Sequence, residues 1–415
     1  MNSFKVTTLS LAAAAAIALS GCGGSSSSTS TTTPAANCDS NYIDVVLDAT
    51  ISSDTTLDAT KVYGLDGKVK VTDDSILTIP AGTKIAGCTP QSFMVVSAGS
   101  QLIANGTQAE PIVFTSQKDI KGESEANSAG EWGGLVLAGN AYTHYGVKQY
   151  EADETVSYGS ADHANDTDSS GSLQYVVIKH TGYEVEKDKE LNGLSLAGVG
   201  SGTTLKNIAI IGGLDDGLEI WGGTPNIDGL YVYNAQDDSV DTDLGYRGTI
   251  QNVLVEQVNV DSTNHHDSAG MEFGNDNNTI ETADANATKP NIINYTGYIK
   301  GGGFYTKNDA GATLNNVKFI SEKTADVELM HFRSSDAFYT DAIELGSDIC
   351  LKNTNAATLY TTVNSKDTNT SESANAYYTD PAKLGMNGFN ILTDTTCTGA
   401  TEANIWKGKA GSNDA

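Results

Sequence analysis

The sequence predicts an all-β solenoid, in which short strands stack as successive coils of one long fold. Asp215-Asp-Gly-Leu-Glu219 is followed by Asp237-Asp-Ser-Val-Asp241 at a constant offset, so that every position of the first motif has its counterpart in the second. Short segments rich in Val and Ile repeat beside this pattern, with Gly, Asn and Asp between them. Such a short, fixed period, with brief strands and turn residues, is typical of a solenoid. Long amphipathic runs are scarce, which favours a β form over a helical one.

The charge of the chain limits its partners. Its 415 residues include 24 basic and 52 acidic side chains, for a formal net charge of −28. Binding nucleic acid or an anionic membrane surface through charge requires a basic face. We therefore expect no nucleic-acid partner, and the composition suits a soluble exterior or cation binding.

The N-terminus has the pattern of an export signal. Lys5 precedes the apolar run Leu11–Leu19, which is too short to span a bilayer, and Leu19-Ser-Gly-Cys22 follows at once. This resembles the lipobox of bacterial lipoproteins. The resemblance implies a signal peptide over residues 1–21, a diacylglyceride and an acyl (palmitate-type) chain on Cys22, and anchoring in the outer membrane on its periplasmic or outer face. Residues 22–37 are Ser/Thr-rich and predict a flexible tether.

The other four cysteines predict a disulfide framework, because an exported chain with an even count and no C-x-x-C pair favours disulfides over zinc. Three pairings are possible. We favour Cys38 with Cys88 and Cys350 with Cys397, since each pair would close one end of the solenoid, where the terminal coils have only one neighbour.

From Ser75 onward, strand, Ala-Gly-Thr/Ser turn and strand alternate. This run resembles the N-terminal coils of right-handed parallel β-helices in bacterial surface proteins. We predict a parallel β-helix over residues 38–350 and a cap or loop region over 351–415. Residues 141–170 break the rhythm and predict a polar, acidic insertion that bulges from the stack. Thr324–Phe338 has a moderate helical pattern that would suit a cap.

The repeated acidic motif predicts a column of carboxylates. If the coils stack in register, Glu219, Asp241 and Glu272 form a column, with acidic pairs from the preceding turns beside it. Neighbouring rungs lie about 4.8 Å apart, where two charges repel by about 3 to 4 kcal/mol at an effective dielectric of about 20. Protonation, pairing with Arg247, or a bound cation such as Ca²⁺ would relieve this repulsion, and turn carboxylates exposed to water would need no ligand. The candidate metal ligands are Asp215, Asp216, Glu219, Asp237, Asp238, Asp241 and Glu272.

Further motifs strengthen the resemblance. Gly130-Glu-Trp-Gly-Gly134, Asp215-Asp-Gly-Leu-Glu-Ile-Trp-Gly-Gly-Thr224 and Asp237–Gln251 are similar to segments of a family of uncharacterised bacterial surface lipoproteins and secreted proteins with a β-helix core. The resemblance implies the fold and a location at the cell surface. It implies no reaction.

Three functions remain open at this point. As a scaffold, the chain needs only to be a rigid, tethered rod. As a binding or adhesion protein, it would present aromatic platforms to a polysaccharide or a surface protein, with Trp132, Trp221, Tyr231, Tyr233 and Tyr246 as candidates. As a calcium-dependent polysaccharide lyase or glycoside hydrolase, an inference from fold analogy, it would use Asp237 and Asp241 as acid and base, or Arg247 as base. His265 and His266 are adjacent, and adjacent strand side chains point apart, so we expect a polar loop there.

Overall fold

The computed structural model describes residues 37–184, 191–260, 268–275, 286–321, 329–334, 343–345, 349–353, 360–364 and 405–408. Cys22, His265, His266 and Cys397 lie outside these residues. The described chain belongs to one compact unit, Ala36–Ala415. No helix in this part of the chain is long and apolar enough to cross a membrane.

Strands dominate the described residues. In chain order they are β1 Val45–Val46, β2 Thr50–Ile51, β3 Thr55–Thr56, β4 Val62–Leu65, β5 Lys68–Val71, β6 Ile76–Ile79, β7 Lys84–Gly87, β8 Phe93–Val96, β9 Gln101–Asn105, β10 Ile112–Ser116, β11 Leu135–Ala138, β12 Lys148–Tyr150, β13 Asp153–Tyr158, β14 Gly171–Thr181, β15 Leu194–Ala197, β16 Thr204–Gly213, β17 Leu218–Trp221, β18 Asn226–Ala235, β19 Val240–Asp243, β20 Thr249–Glu256, β21 Ala269–Phe273, β22 Asn291–Tyr298, β23 Gly302–Thr306, β24 Ala312–Ser321, β25 Met330–Ser334, β26 Ile343–Leu345, β27 Ile349–Asn353 and β28 Tyr360–Asn364. A single α-helical turn, α1, covers Gln117–Ile120, and a 3-10 turn covers His163–Asn165.

The strands form two long parallel sheets that run along the stack. The acidic sheet, as we call it here, has eleven strands in the order β2-β5-β8-β11-β15-β17-β19-β21-β23-β25-β28. The second sheet has fifteen strands, with β4-β7-β10-β14-β16-β18-β20-β22-β24 at its centre. Strands of successive coils thus pair with one another within each sheet, as in a parallel β-helix, and the predicted fold class is confirmed. Inward side chains such as Leu218, Ile220 and Leu230 form one continuous buried core.

Asparagines mark a corner of the later coils. At one equivalent position in β14 and in the strands that stack on it, the backbone lies in the left-handed region. In most coils the residue at this position is Asn. Asn316 donates to Asn294 at 2.8 Å, and Asn294 donates to Asn252 at 3.0 Å. Asn252 continues the row by donating to Asp228 at 2.6 Å. We call this row the asparagine ladder.

The first coils are closed by the predicted disulfide Cys38–Cys88, which has a Cα–Cα distance of 5.0 Å. Gly64 lies against it, because a Cβ there would come within 2.7 Å of the Cys38 sulfur. Cys350 is also disulfide-bonded. The partner predicted for it, Cys397, is outside the described residues.

The insertion at 141–170 does not bulge into solvent as predicted. Its antiparallel strands β12 and β13 lie on the outer face of the acidic sheet. Tyr150, Val156 and Tyr158 are buried there, and Lys68 Nζ pairs with Asp153 Oδ2 at 2.7 Å. The prediction was wrong because the alternating apolar residues of this segment are few and sit among acidic ones. They are enough to cover an apolar outer face made by β8, β11 and β15.

The C-terminal coils extend further than the sequence indicated. β27 pairs with β24, and β28 pairs with β25, both in parallel. Parallel strands therefore reach Asn364, beyond the boundary drawn at residue 350. The helical pattern at 324–338 is contradicted over its centre, since Met330–Ser334 is a strand in register with β23. Stacking on the preceding coil outweighs a weak local helical pattern.

Candidate metal-binding site

Five consecutive strands of the acidic sheet place polar side chains in one outward row. Leu194, Leu218, Val240 and Met271 point into the core at equivalent positions. Because side chains alternate along a strand, the residues that follow these point outward. Pairing places them in the order Ser195, Glu219, Asp241, Glu272 and Tyr305. The column predicted from the sequence is thus in register.

A second acidic row lies at the turn before each strand. The backbone N–H of Asp238 donates to Asp216 Oδ1 at 2.9 Å, and the N–H of Ala269 donates to Asp238 Oδ1 at 2.5 Å. Each carboxylate is thereby held by the next coil. Both side chains are nearly buried, since Asp216 and Asp238 are 7% and 4% exposed.

The two rows bring all seven predicted residues together in three clusters. We call them the upper cluster (Asp215, Asp216 and Asp237), the middle cluster (Asp216, Glu219 and Asp241) and the lower cluster (Asp238, Asp241 and Glu272). Within each, one carboxylate oxygen per residue lies within 4.8 Å of the others, so each cluster could hold a metal ion. Asp216 and Asp241 are each shared by two clusters, which makes the site a continuous ladder. We call it the carboxylate ladder.

The carboxylates of the ladder oppose one another's ionisation. Burial raises the pKa of Asp216, Glu219, Asp238 and Asp241 well above the usual range, and neighbouring carboxylates raise each pKa further. For Glu219 the strongest neighbour is Asp241, and for Asp241 it is Glu272. The ladder therefore favours any species that adds positive charge, either protons or a cation.

One lysine supplies part of this positive charge. Lys307 Nζ contacts Glu272 Oε1 as an ion pair. Burial acts to lower the pKa of Lys307, but Glu272, Asp241 and Asp243 outweigh it and hold this pKa well above its usual value. The lysine stem crosses Gly274, where a Cβ would come within 2.9 Å of Lys307 Cε. Glycine at this position thus leaves the path to the ladder open.

Among the buried oxygens in this region that have no hydrogen-bond partner within the described residues, two belong to side chains of the outward polar positions. One is Asp241 Oδ1, at the centre of the ladder, and the other is Asn192 Oδ1. Asn192 is 1% exposed and donates through Nδ2 to Glu219 Oε2 at 2.5 Å. A buried acceptor without a donor costs about 1 to 3 kcal/mol. These oxygens are what a bound cation would satisfy.

The donor set fits a hard cation. The clustered side chains offer carboxylate oxygens, without the sulfur or imidazole ligands that favour zinc or copper. Ca²⁺ takes six to eight oxygens at flexible geometry, whereas Mg²⁺ keeps several waters and demands an octahedron. Residues held by β-strands at rung spacing suit the more tolerant ion.

The insertion forms a wall beside the ladder. Trp221 lies two residues after Glu219 on the same outward face and packs edge-on against Tyr150, with ring centroids 5.4 Å apart. Tyr150 Oη lies 3.3 Å from Ser195 Oγ, at the top of the outward row. Glu151, in the same hairpin, adds negative charge that raises the pKa of Glu219. The hairpin therefore increases the acidity of the site and borders it with aromatic rings.

The aromatic residues proposed as platforms do not share one surface. Trp132 and Tyr246 are fully buried in the core, where Trp132 Nε1 donates to Lys179 O at 2.6 Å and Tyr246 Oη donates to Pro225 O at 3.0 Å. The prediction for these two was wrong, because rung aromatics can fill the interior of a coil. Tyr231 and Tyr233 do face one way together, as predicted, but they lie on the outer face of the second sheet.

The C-terminal residues 405–408 cover part of that face. Trp406 meets Tyr175 edge-on at 5.2 Å, and Lys407 Nζ pairs with Glu256 Oε1 at 2.8 Å while lying over the ring of Tyr231. Tyr231 is 2% exposed as a result of these contacts and its neighbours. Of the predicted platforms, Trp221 is the one that borders the acidic sheet's carboxylates.

The residues proposed for catalysis are divided between the ladder and the turn that follows it. Asp237 and Asp241 belong to neighbouring clusters. Arg247 follows β19, and its backbone N–H donates to Gly223 O at 3.2 Å. A role for its guanidinium as base or counter-ion stays a prediction.

Sequence reasoning missed Lys307, Asn192 and Glu151. Lys307 could have been found by carrying the register one coil further, since Gly270-Met-Glu-Phe aligns with Gly303-Phe-Tyr-Thr and places Lys307 beside Gly274. Asn192 occupies the position of Asp216 one coil earlier and could have been found the same way. Glu151 had no such signal, because only the folding of the insertion brings it near Glu219.

The fold and its acidic face define a parallel β-helix protein with a candidate cation site on one sheet. A protein-family model of the pectate-lyase-like β-helix domain matches residues 49–395. The chain belongs to this family, since the match covers most of its length. Searches of curated proteins and of solved structures found no match.

Proposed function

We propose that this protein is a lipid-anchored outer-membrane β-helix protein that binds Ca²⁺ along its carboxylate ladder and acts as a binding, adhesion or structural protein. The observation that carries the proposal is the ladder itself. Its buried and half-buried carboxylates lie in register, and a central oxygen, Asp241 Oδ1, has no hydrogen-bond partner among the described residues.

A cation bound to the ladder would stabilise the stacking of the coils. Glu219, Asp241 and Glu272 come from three successive coils, and the strands that carry them pair side by side. An ion in the middle cluster would join the coils of Glu219 and Asp241, and an ion in the lower cluster would join those of Asp241 and Glu272. Such ions would strengthen the contacts between neighbouring coils on which a solenoid depends. Binding to the folded state alone stabilises a protein by about 2.7 kcal/mol per site when the ligand is at about 100 times its Kd.

The location follows from the N-terminal pattern. The lipobox-like Leu19-Ser-Gly-Cys22 and the Ser/Thr-rich segment after it support a lipid on Cys22 and a flexible spacer. Such an anchor would hold the rod at the periplasmic or the outer face of the outer membrane, where it could meet polysaccharide or surface proteins. Labelling cells with a palmitate analogue tests this, and the Cys22→Ala variant should lose both the label and membrane fractionation.

The metal proposal is tested by thermal unfolding of the purified chain. We expect the midpoint to be lowest in chelator and to rise with added Ca²⁺, with a smaller rise for equal Mg²⁺. The variant Asp48→Asn, which changes an exposed carboxylate outside the ladder, is the matched control and should respond like the wild type. A midpoint that excess Ca²⁺ does not move would contradict the proposal.

A second candidate is a calcium-dependent polysaccharide lyase or glycoside hydrolase. It is favoured by the family description and by the position of Trp221, whose ring borders the ladder on the face of the acidic sheet. In this case Asp237, Asp241 and Arg247 would supply acid, base or metal ligands. Incubation with pectin, alginate and neutral glycans, with and without Ca²⁺, separates the two candidates. New unsaturated ends or reducing sugars indicate an enzyme, and retention without turnover indicates a binding protein.

A further inference from the structure

We infer that the ammonium of Lys307 occupies the lower cluster in place of a metal ion. The wild-type ladder then binds metal in the middle cluster, and removal of this ammonium opens one further metal position. This inference rests on the proposed cation-binding function and adds to it a tethered cation that sets how many ions the ladder holds.

The lower cluster already contains a positive charge. Lys307 Nζ lies against Glu272 Oε1, and Glu272 is 6% exposed. The remaining members, Asp238 and Asp241, lie within 4.8 Å of Glu272 through their carboxylate oxygens. A calcium ion bonds to carboxylate oxygens at about 2.3 to 2.6 Å, so an ion bound to Glu272 Oε1 would compete with the ammonium for that oxygen.

The middle cluster differs in this respect. Among the described residues, Asp216, Glu219 and Asp241 make no ion pair with any lysine, arginine or histidine, and the side-chain donor to Glu219 is the neutral amide of Asn192. Asp241 Oδ1, which faces no donor, belongs to this cluster as well as to the lower one. Of the two clusters that share Asp241, the middle one has no member in an ion pair, and we therefore expect a metal ion to gain most there.

The backbone explains why the lysine reaches only one cluster. Gly274 lies beside the position of Lys307 on the next coil and close to Asp243, so the lysine stem runs over a residue that has no side chain. A Cβ on Gly274 would come within 3.0 Å of Asp243 Oδ2 and 2.9 Å of Lys307 Cε. The stem is thus guided to Glu272, one coil away, while Glu219 lies two coils further up the ladder.

The test counts calcium ions per chain by equilibrium dialysis and metal analysis. The full chain is compared with Lys307→Gln, and with Lys206→Gln as a charge-matched control on the exposed surface of the second sheet. We expect one additional ion per chain in Lys307→Gln and no change in Lys206→Gln. Lys307→Arg keeps the charge and should bind the wild-type number. The double variant Glu272→Gln with Lys307→Gln, which removes the third carboxylate, should also return to the wild-type number.

Unfolding measurements distinguish a change in the number of metal sites from a loss of the folded state in the variant. In chelator, Lys307→Gln should melt below the wild type, and saturating Ca²⁺ should restore its midpoint, because the metal replaces the lost ammonium. An unchanged count in Lys307→Gln, with the wild type binding calcium, overturns this inference and leaves the proposed function intact. A variant that stays unfolded in excess calcium also overturns it. A wild type that binds no calcium instead overturns the proposed function.

Discussion

Two polar rows run along this β-helix with the same spacing and opposite chemistry. The asparagine ladder stacks Asn316, Asn294 and Asn252, and each amide can both donate and accept, so the row satisfies itself. The carboxylate ladder stacks Glu219, Asp241 and Glu272. When these side chains are ionised they can accept hydrogen bonds but cannot donate them. The first row needs nothing from outside, whereas the second requires protons, a lysine or a metal ion.

This difference shows what repetition does to a side chain. In a solenoid, a residue type that recurs at a given position is stacked on the same residue type of the next coil, about 4.8 Å away. For an amide this repetition produces a hydrogen bond. For a carboxylate it produces repulsion, which protonation, the ammonium of Lys307 or a bound cation can relieve. A row of acids is therefore informative in a solenoid in a way that a scattered acidic surface is not.

The largest expected contrast between the two rows is in their response to pH. The folded-state pKa of Asp216, Glu219, Asp238 and Asp241 is raised, so their protonated forms favour the folded state. In chelator, we expect the stability they contribute to be fully present below about pH 4, the usual carboxyl pKa. That stability should fall as the pH rises above this value, at up to about 1.4 kcal/mol per pH unit for each group that titrates.

Denaturant midpoints measured in chelator from about pH 5 upward test this expectation. The lower limit matters because of Asp119. Burial acts to raise the pKa of Asp119, but the nearby His180 ring and hydrogen bonds from Lys179 and Thr115 outweigh it and hold this pKa well below its usual range. Asp119 therefore loses its stabilising effect as the pH falls below about 4. Saturating Ca²⁺ should flatten the slope, and a metal-free midpoint that rises steadily with pH would refute the account.

A smaller effect is expected from replacing one carboxylate of the carboxylate ladder with an amide, the group that forms the asparagine ladder. Asp241→Asn removes the charge shared by the middle and lower clusters and adds an N–H₂ donor. We expect a higher midpoint in chelator, since repulsion of about 3 to 4 kcal/mol per neighbouring ionised carboxylate is relieved at an effective dielectric of about 20. The calcium-dependent rise should be mostly lost. A variant that responds to calcium like Asp48→Asn would show that Asp241 is no ligand.

The smallest effect is expected from breaking the asparagine ladder. Asn294→Ala removes two side-chain hydrogen bonds, worth about 1 kcal/mol each. It also places alanine, which lacks the short polar side chain that makes the left-handed region accessible to Asn, at φ 56°. The left-handed conformation costs about 1 kcal/mol more for Ala. Asn294→Gly should recover this backbone part. The loss, measured by denaturant unfolding, should be equal with and without Ca²⁺, and a calcium-dependent loss would mean that the two rows are coupled.

Much of the architecture could be predicted from local patterns. The repeat of the acidic motif placed Glu219 and Asp241 on neighbouring strands of one sheet, and the longer step to Glu272 was found by matching Gly270-Met-Glu to the same rhythm. Turn chemistry indicated where strands end, and the Cys38–Cys88 pair followed from the position of the first coils. These features depend on residues that lie one or a few coils apart, and the repeat encodes that distance directly.

The failures share a different cause. The insertion at 141–170 packs on the acidic sheet, Tyr246 points inward, and Met330–Ser334 forms a strand where a helix was considered. In each case the outcome depends on a surface supplied by another part of the chain. Composition and periodicity describe a segment by itself, so they could not report that surface.

The sequence by itself determined that this chain is a stack of β coils with an unusual column of acids, because the period of the repeat converts spacing along the chain into position along the stack. Only the tertiary structure decided which other charges act on that column. Lys307 is distant from Asp241 along the chain, and Glu151 is distant from Glu219, yet both act on the same ladder. Electrostatic interactions depend on distance in space, and coil stacking together with the insertion sets that distance.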